Sequence, residues 1–202
     1  MDDKVTEIFI WKEISFAIDQ EIKNTKGNLL LIHKSLDFPS LLYFFFKNFE
    51  DQSKLYLSLL RSSDYILENI NDQGYKTENM FLIDCVSSFL NKKAKPEKNL
   101  SHEDPPMYIS ELISLLEKYS REARDIVIID SLSKFVDFSS SYRGNSNEFY
   151  KLIHFIRENM FLSKSNIIFL YDEKQTHIRH IPKTHFNKIL KIEAIEEGVS
   201  LR

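Results

Sequence analysis

A three-layer α/β fold with a mainly parallel central sheet is the architecture this 202-residue sequence predicts, on three observations. Five short apolar runs recur along the chain. Most lack polar alternation, as strands buried on both faces do. Stretches with helical spacing separate them, giving the β-α-β-α rhythm of such domains.

The runs are NLLLI (28–32), KLYLSL (54–59), NMFLID (79–84), DIVIID (125–130) and NIIFLY (166–171). Between them, Leu41, Phe44, Phe45 and Phe49 give one helical apolar face. Ile109, Leu112, Leu115 and Leu116 give a second, and Phe149, Leu152, Ile153 and Ile156 a third. SSDYILENINDQG reads as a capped helix ending at Gly74. A further helix from about Lys12 to Lys23 precedes the first strand, and KILKIEAI followed by GVSLR closes the sheet as an antiparallel edge. Two stretches read as loops, the polar NKKAKPEKNLSHEDPP (91–106) and DFSSSYRGNSNE (137–148). With no internal repeat and no linker, residues 1–202 form a single domain.

Composition narrows the function. The chain is 43% hydrophobic and 28% charged, the balance of a soluble globular protein. A net charge of −3 argues against a dedicated nucleic-acid binder. One cysteine, Cys85, forms no internal disulfide, so a reducing, cytoplasmic setting is expected. The opening MDDKVTEIF is acidic, unlike a signal peptide, and no apolar run approaches the roughly 18 residues of a membrane span. Only four glycines are present, few for a protein that wraps phosphates in backbone.

GNLLLI leading through HKSLDFPS into an apolar helix has the layout of a phosphate-binding loop, a strand handing over to a helix N-terminus. The pattern G-x-x-x-x-G-K-[ST] falls with its first glycine on His33, its second on Phe38, its lysine on Pro39 and its hydroxyl on Ser40. Only the serine fits. Glycines let the loop close its N–H groups on phosphate, and the lysine neutralises charge. Proline is instead a favoured first residue of a helix, so DFPS reads as a structural helix start. Lys34 sits where variant loops carry an additional lysine.

GNLLLI, the strand-helix-strand unit KLYLSLLRSSDYILENINDQGYKTENMFLIDCVSS and DIVIIDSLSKF together resemble the RecA-type ATPase core, in its KaiC/RadA-like archaeal branch. The resemblance spans roughly residues 8 to 195. It places Asp130 at the Walker B position, where the family's aspartate holds the Mg²⁺ water shell. It places Leu60 and Arg61 where KaiC-like relatives carry the acidic pair that activates water. Leucine takes no proton and arginine stays protonated. The resemblance therefore implies a degenerate Walker A, lost catalytic glutamates and no ATP hydrolysis, hence no enzyme and no cofactor.

The remaining chemistry-bearing residues have bland readings beside sharper ones. Asp130 and Asp84 are expected to be strand-end carboxylates, Asp130 satisfied by hydroxyls such as Ser40 or Ser131. His177, His180 and His185 lie close together without zinc-motif spacing and read as surface histidines. Cys85 reads as packed. Tyr142 and Arg143 lie in a loop position that carries DNA in RecA-like recombinases, a weak nucleic-acid expectation. The function expected is a pseudo-ATPase serving as a protein-interaction or regulatory module, through self-association or an active RecA/KaiC-like paralogue. The alternatives are a nucleotide sensor without turnover, built on Asp130, Ser40 and Lys34, and a recombinase-paralogue accessory that binds single-stranded DNA.

Overall fold

The structure, a computed structural model, describes residues 20, 26–34, 39, 41–42, 45–46, 49–72, 74–89, 98–138, 143–173 and 180–191. Seven strands form one sheet: β1 (Asn28–His33), β2 (Lys54–Ser58), β3 (Met80–Asp84), β4 (Leu100–His102), β5 (Ile126–Asp130), β6 (Asn166–Asp172) and β7 (Lys188–Lys191). Their order across the sheet is β4-β3-β2-β5-β6-β1-β7, and every pairing is parallel. The described helices are α1 (Ser63–Asp72), α2 (Ile109–Tyr119) and α3 (Arg143–Glu158), and residues 39, 41, 42, 45 and 46 are also helical.

The strand period of two sorts the apolar residues into two layers. Leu29, Leu31, Tyr56, Ile128 and Ile168 pack on one face with Leu41, Phe45 and Phe46, and with Ile66 and Ile70 of α1. Leu30, Leu57, Ile129 and Phe169 pack on the other with Leu112 and Leu116 of α2 and Phe149, Leu152 and Ile156 of α3. Burial on both faces is why these strands read as continuous apolar runs rather than as alternating ones.

The five expected strands are all present. Three expectations are corrected. The edge strand β7 runs parallel to β1, pairing Leu29 with Lys188 and Ile32 with Lys191, where an antiparallel edge was expected. GVSLR, its expected partner, lies outside the described residues, as does the N-terminal helix apart from the helical Gln20. The stretch read as a loop over 91–106 contains β4, a three-residue strand too short to show any period. The loop read over 137–148 gives way to α3 at Arg143, because the apolar face that marks this helix begins only at Phe149.

Local chemistry sets the element ends. Asp84 accepts the backbone N–H of Ser63 at 2.7 Å and so caps α1 from the neighbouring strand. Glu111 reaches back to the N–H of Met107 at 2.6 Å and begins α2. Gly27 enters β1 at φ +101°, and a Cβ there would stand 2.5 Å from Asn187 Oδ1, the atom that accepts the Asn28 N–H at 2.9 Å. Gly27→Ala is therefore expected to destabilise the protein by about 1–3 kcal/mol, read as a lower urea midpoint at unchanged slope.

Candidate functional site

Every strand from β1 to β6 ends on a polar residue: His33, Ser58, Asp84, His102, Asp130 and Asp172. Each lies two residues beyond an apolar side chain of the Tyr56–Ile128 layer, so the strand period turns all six to the same face. Register sets them at two levels, with His33 and Asp172 two residues beyond the other four, since Asp130 pairs with Leu170. Ser58 pairs with Asp84 and Asp130, Asp84 with His102, and His33 with Asp172. Ser58, Asp84 and Asp130 are wholly buried, and His33 and Asp172 nearly so.

The centre of this row is a crevice in the topology. From β2 the chain runs through α1 outward to β3, while from β5 it runs through α3 the opposite way to β6. Adjacent strands whose connections diverge leave an opening beyond their carboxyl ends, the usual ligand position in open α/β sheets. Here a side chain of the chain itself fills it. Arg61 Nη1 donates to both carboxylate oxygens of Asp130, at 2.8 and 3.1 Å, and Nη2 lies 3.8 Å from Asp172 Oδ2. Tyr56 donates its hydroxyl to Asp130 Oδ2 at 2.9 Å. The Arg61 carbonyl accepts from Ser58 Oγ at 2.6 Å, which folds residues 59–61 back over the strand end.

Burial pushes the Asp130 carboxyl up from its ordinary value, and the Arg61 guanidinium, the Tyr56 hydroxyl and His33 oppose that push. Burial also drives the Tyr56 phenol well up, and the neighbouring carboxylate adds to it, so Tyr56 stays a hydrogen-bond donor. Tyr56 and Arg61 are the groups that satisfy Asp130 among the described residues, and neither was among those expected. Ser131 Oγ donates to the Leu170 carbonyl at 2.9 Å instead, and Ser40 lies outside the described residues.

Of the other phosphate-loop positions, His33, Lys34 and Pro39 are among the described residues. His33 is the last residue of β1, with Nδ1 2.9 Å from the Lys34 carbonyl oxygen, and Lys34 is exposed. Pro39 is helical and half-buried, in keeping with a helix start, while Phe38 lies outside the described residues. Of the pair at the water-activating position, Leu60 is half-buried, and only Arg61 reaches the site. Arg143 is the first residue of α3, and Tyr142 and His177 are not among the described residues. His180 and His185 do not join the strand-end row. His185 packs edge-on to Tyr150 at 4.5 Å, and the His180 N–H donates to the Phe138 carbonyl at 2.9 Å. Among the described residues, no group of three or more His, Cys, Asp or Glu side chains is placed to hold a metal ion.

The sequence reading missed Tyr56, Asp172, His102 and the row itself. The signal was available: NLLLIH, KLYLS, MFLID, IVIID and NIIFLYD each end an apolar run on a polar residue.

Asp84 forms a second centre, structural in kind. It accepts N–H groups from Ser63, Val86 and Ser87 at 2.7–2.9 Å and the Ser87 hydroxyl at 2.6 Å, with His102 Nδ1 3.6 Å away. Burial acts to raise its carboxyl, but the hydrogen bonds from Ser87 and Ser63 prevail and hold it down to about 2. Beside it, burial pushes the Cys85 thiol up to about 12.

No family model and no curated protein matches the chain. Among solved structures, an ATPase domain aligns over 93% of this chain and 78% of its own, at 12% identity and a TM-score of 0.43. A likeness at that level establishes neither family nor activity.

Two outcomes follow from the Asp84 centre. A carboxyl lowered from 3.8 in the unfolded chain to about 2 in the folded one stabilises the fold above pH 4. About 2 kcal/mol is then lost as pH falls from 4 through 2, and the acid-unfolding curve of Asp84→Asn should lack that component. Native Cys85 should resist an aromatic disulfide reagent at pH 8 and react at once in urea.

Proposed function

We propose that this chain is a non-catalytic RecA/KaiC-like domain, a pseudo-ATPase that works as a protein-interaction or regulatory module. One observation carries the reading: Arg61 occupies the crevice and engages the carboxylate that would otherwise face a hydrated metal ion. A guanidinium 2.8 Å from Asp130 Oδ1 takes the volume and the charge that a magnesium water shell needs. The same substitution supplies no group able to take a proton from water, since arginine stays protonated.

Phosphate is equally ill served. Two buried carboxylates face one guanidinium, so the centre as a whole favours cations over a polyanion. A nucleotide sensor built on Asp130 would first have to displace Arg61, which weighs against that alternative. Support for an interaction role comes from the loops beyond β3 and β4, where Phe89 is 77% exposed and Met107 and Tyr108 are each 69% exposed. A contiguous patch of such side chains marks a contact surface, and Ser88 Oγ, donating to the Glu103 carbonyl at 3.0 Å, ties the two loops together.

Millimolar Mg-ATP is expected to leave the thermal midpoint unchanged. A ligand at about a hundred times its dissociation constant would add roughly 2.7 kcal/mol of stability, so binding would be plain. A rise in midpoint that Asp130→Ala abolishes would replace this reading with the sensor. Sedimentation should show self-association, or a pull-down should return a RecA/KaiC-like paralogue, and Phe89→Ser/Tyr108→Ser should weaken the complex. A monomer at every concentration with no retained partner would overturn the interaction role.

A further inference from the structure

We propose that the crevice between β2 and β5 is a guanidinium-binding pocket whose ligand is tethered: Arg61 is gripped there as a bound ligand is, and a free alkylguanidinium takes its place once the side chain is removed. The pocket is shaped for a planar fork. Asp130 presents both oxygens to Nη1 at 2.8 and 3.1 Å, and Asp172 faces Nη2 at 3.8 Å. Tyr56 donates to Asp130 Oδ2 at 2.9 Å, which orients that carboxylate from below. The walls are fixed, since the side chains of Asp130 and Asp172 are 0% and 3% exposed.

The way in is through the arginine itself, whose side chain is 12% exposed. The frame also stands without that side chain. Leu59 N–H donates to the Asp130 carbonyl at 2.5 Å, and Ser58 Oγ holds the Arg61 carbonyl at 2.6 Å. Both are contacts of the backbone at residues 59 and 61, so truncation removes the guanidinium and leaves its surroundings in position.

Guanidinium is the favoured occupant on shape as well as charge. One nitrogen, Nη1, serves both Asp130 oxygens while the second, Nη2, faces Asp172. A compact ammonium, with its single nitrogen, serves the first carboxylate and leaves the second without a partner from the ligand. A divalent ion such as Mg²⁺ needs about six oxygens near 2.1 Å, yet Tyr56 already donates to one Asp130 oxygen. The crevice is thereby held in an occupied state that no supply of small molecule alters. The inference stands on the Arg61 geometry and not on the absence of catalysis. ATP turnover by the parent protein would sink the proposed function and leave the pocket intact.

The test is the thermal midpoint of Arg61→Gly in the full chain, at constant ionic strength. It should fall by about 10 °C, because a buried carboxylate loses its partner. Millimolar ethylguanidinium should recover about half of the loss along a saturable curve. Ethylammonium, Mg²⁺ and Mn²⁺ should not, and the parent should respond to none of them. Arg61→Lys, which keeps the charge and loses the fork, should also melt below the parent. If Arg61→Gly does not fold alone, refolding in ethylguanidinium should yield folded protein where refolding in ethylammonium does not. A parent-like midpoint for either variant, equal rescue by ethylammonium, rescue by Mn²⁺, or no rescue at all would overturn the assignment.

Discussion

Two aspartates buried at the ends of adjacent strands set the problem that the centre of this molecule solves. Asp130 and Asp172 lie at the carboxyl edges of β5 and β6, in surroundings where an unpaired charge costs several kcal/mol. Arg61 resolves it for both, with one nitrogen on Asp130 and the other toward Asp172. The consequences reach outward. The loop after β2 must fold back to deliver the guanidinium, Ser58 must pin that loop, and Tyr56 must point its hydroxyl along the strand from within an apolar layer. Truncating one partner of such a pair typically costs about 3–5 kcal/mol, a large share of the stability of any domain.

The row of polar strand ends is a product of parallel pairing. Parallel strands place all their carboxyl ends on one edge, and a common period then brings like positions to one face. An antiparallel sheet of the same runs would divide these six residues between two edges. The chain satisfies the row in two ways. At β3 the carboxylate of Asp84 is consumed by backbone N–H groups and a serine hydroxyl, which organise the turn over 85–88 and the start of α1. At β5 the turn that follows, Leu132–Lys134, is capped by Ser131 and not by Asp130, and an arginine from the loop after β2 serves the carboxylate instead.

How far the sequence disclosed all this depended on the length scale of the signal. The five long strands and the helical faces of α2 and α3 were legible because each carries several apolar residues at a fixed period, whereas Phe44 of the first expected face lies outside the described residues. Leu100–His102 was not, since three residues surrounded by prolines, lysines and acids carry no period at all. The direction of β7 was equally hidden. KILK has the same apolar content whichever way it runs, and only its long return from β6 across the sheet to the outer side of β1 decides it. At the site, Asp130 and Arg61 could both be singled out, one as an apparent survivor and the other as an apparent loss. That they bond to each other is a fact of register and loop path across 69 residues, which one-dimensional spacing does not encode. Tyr56 was concealed differently, as one more aromatic residue in an apolar run.

The placement of β1 between β6 and β7 carries a consequence for how the molecule comes into being. Its hydrogen-bonding partners begin at Asn166 and at Lys188, so Asn28 meets Ile167 only after most of the chain exists. On a ribosome, β1 must wait, with both edges bare, for β6 and β7. Closing so long a loop is slow, and an apolar strand in waiting is a ready template for mispairing. The unit β2-α1-β3, by contrast, closes within about thirty residues. Nascent chains should therefore assemble from the middle outward, and until β6 arrives NLLLIH is the segment most in need of a chaperone's cover.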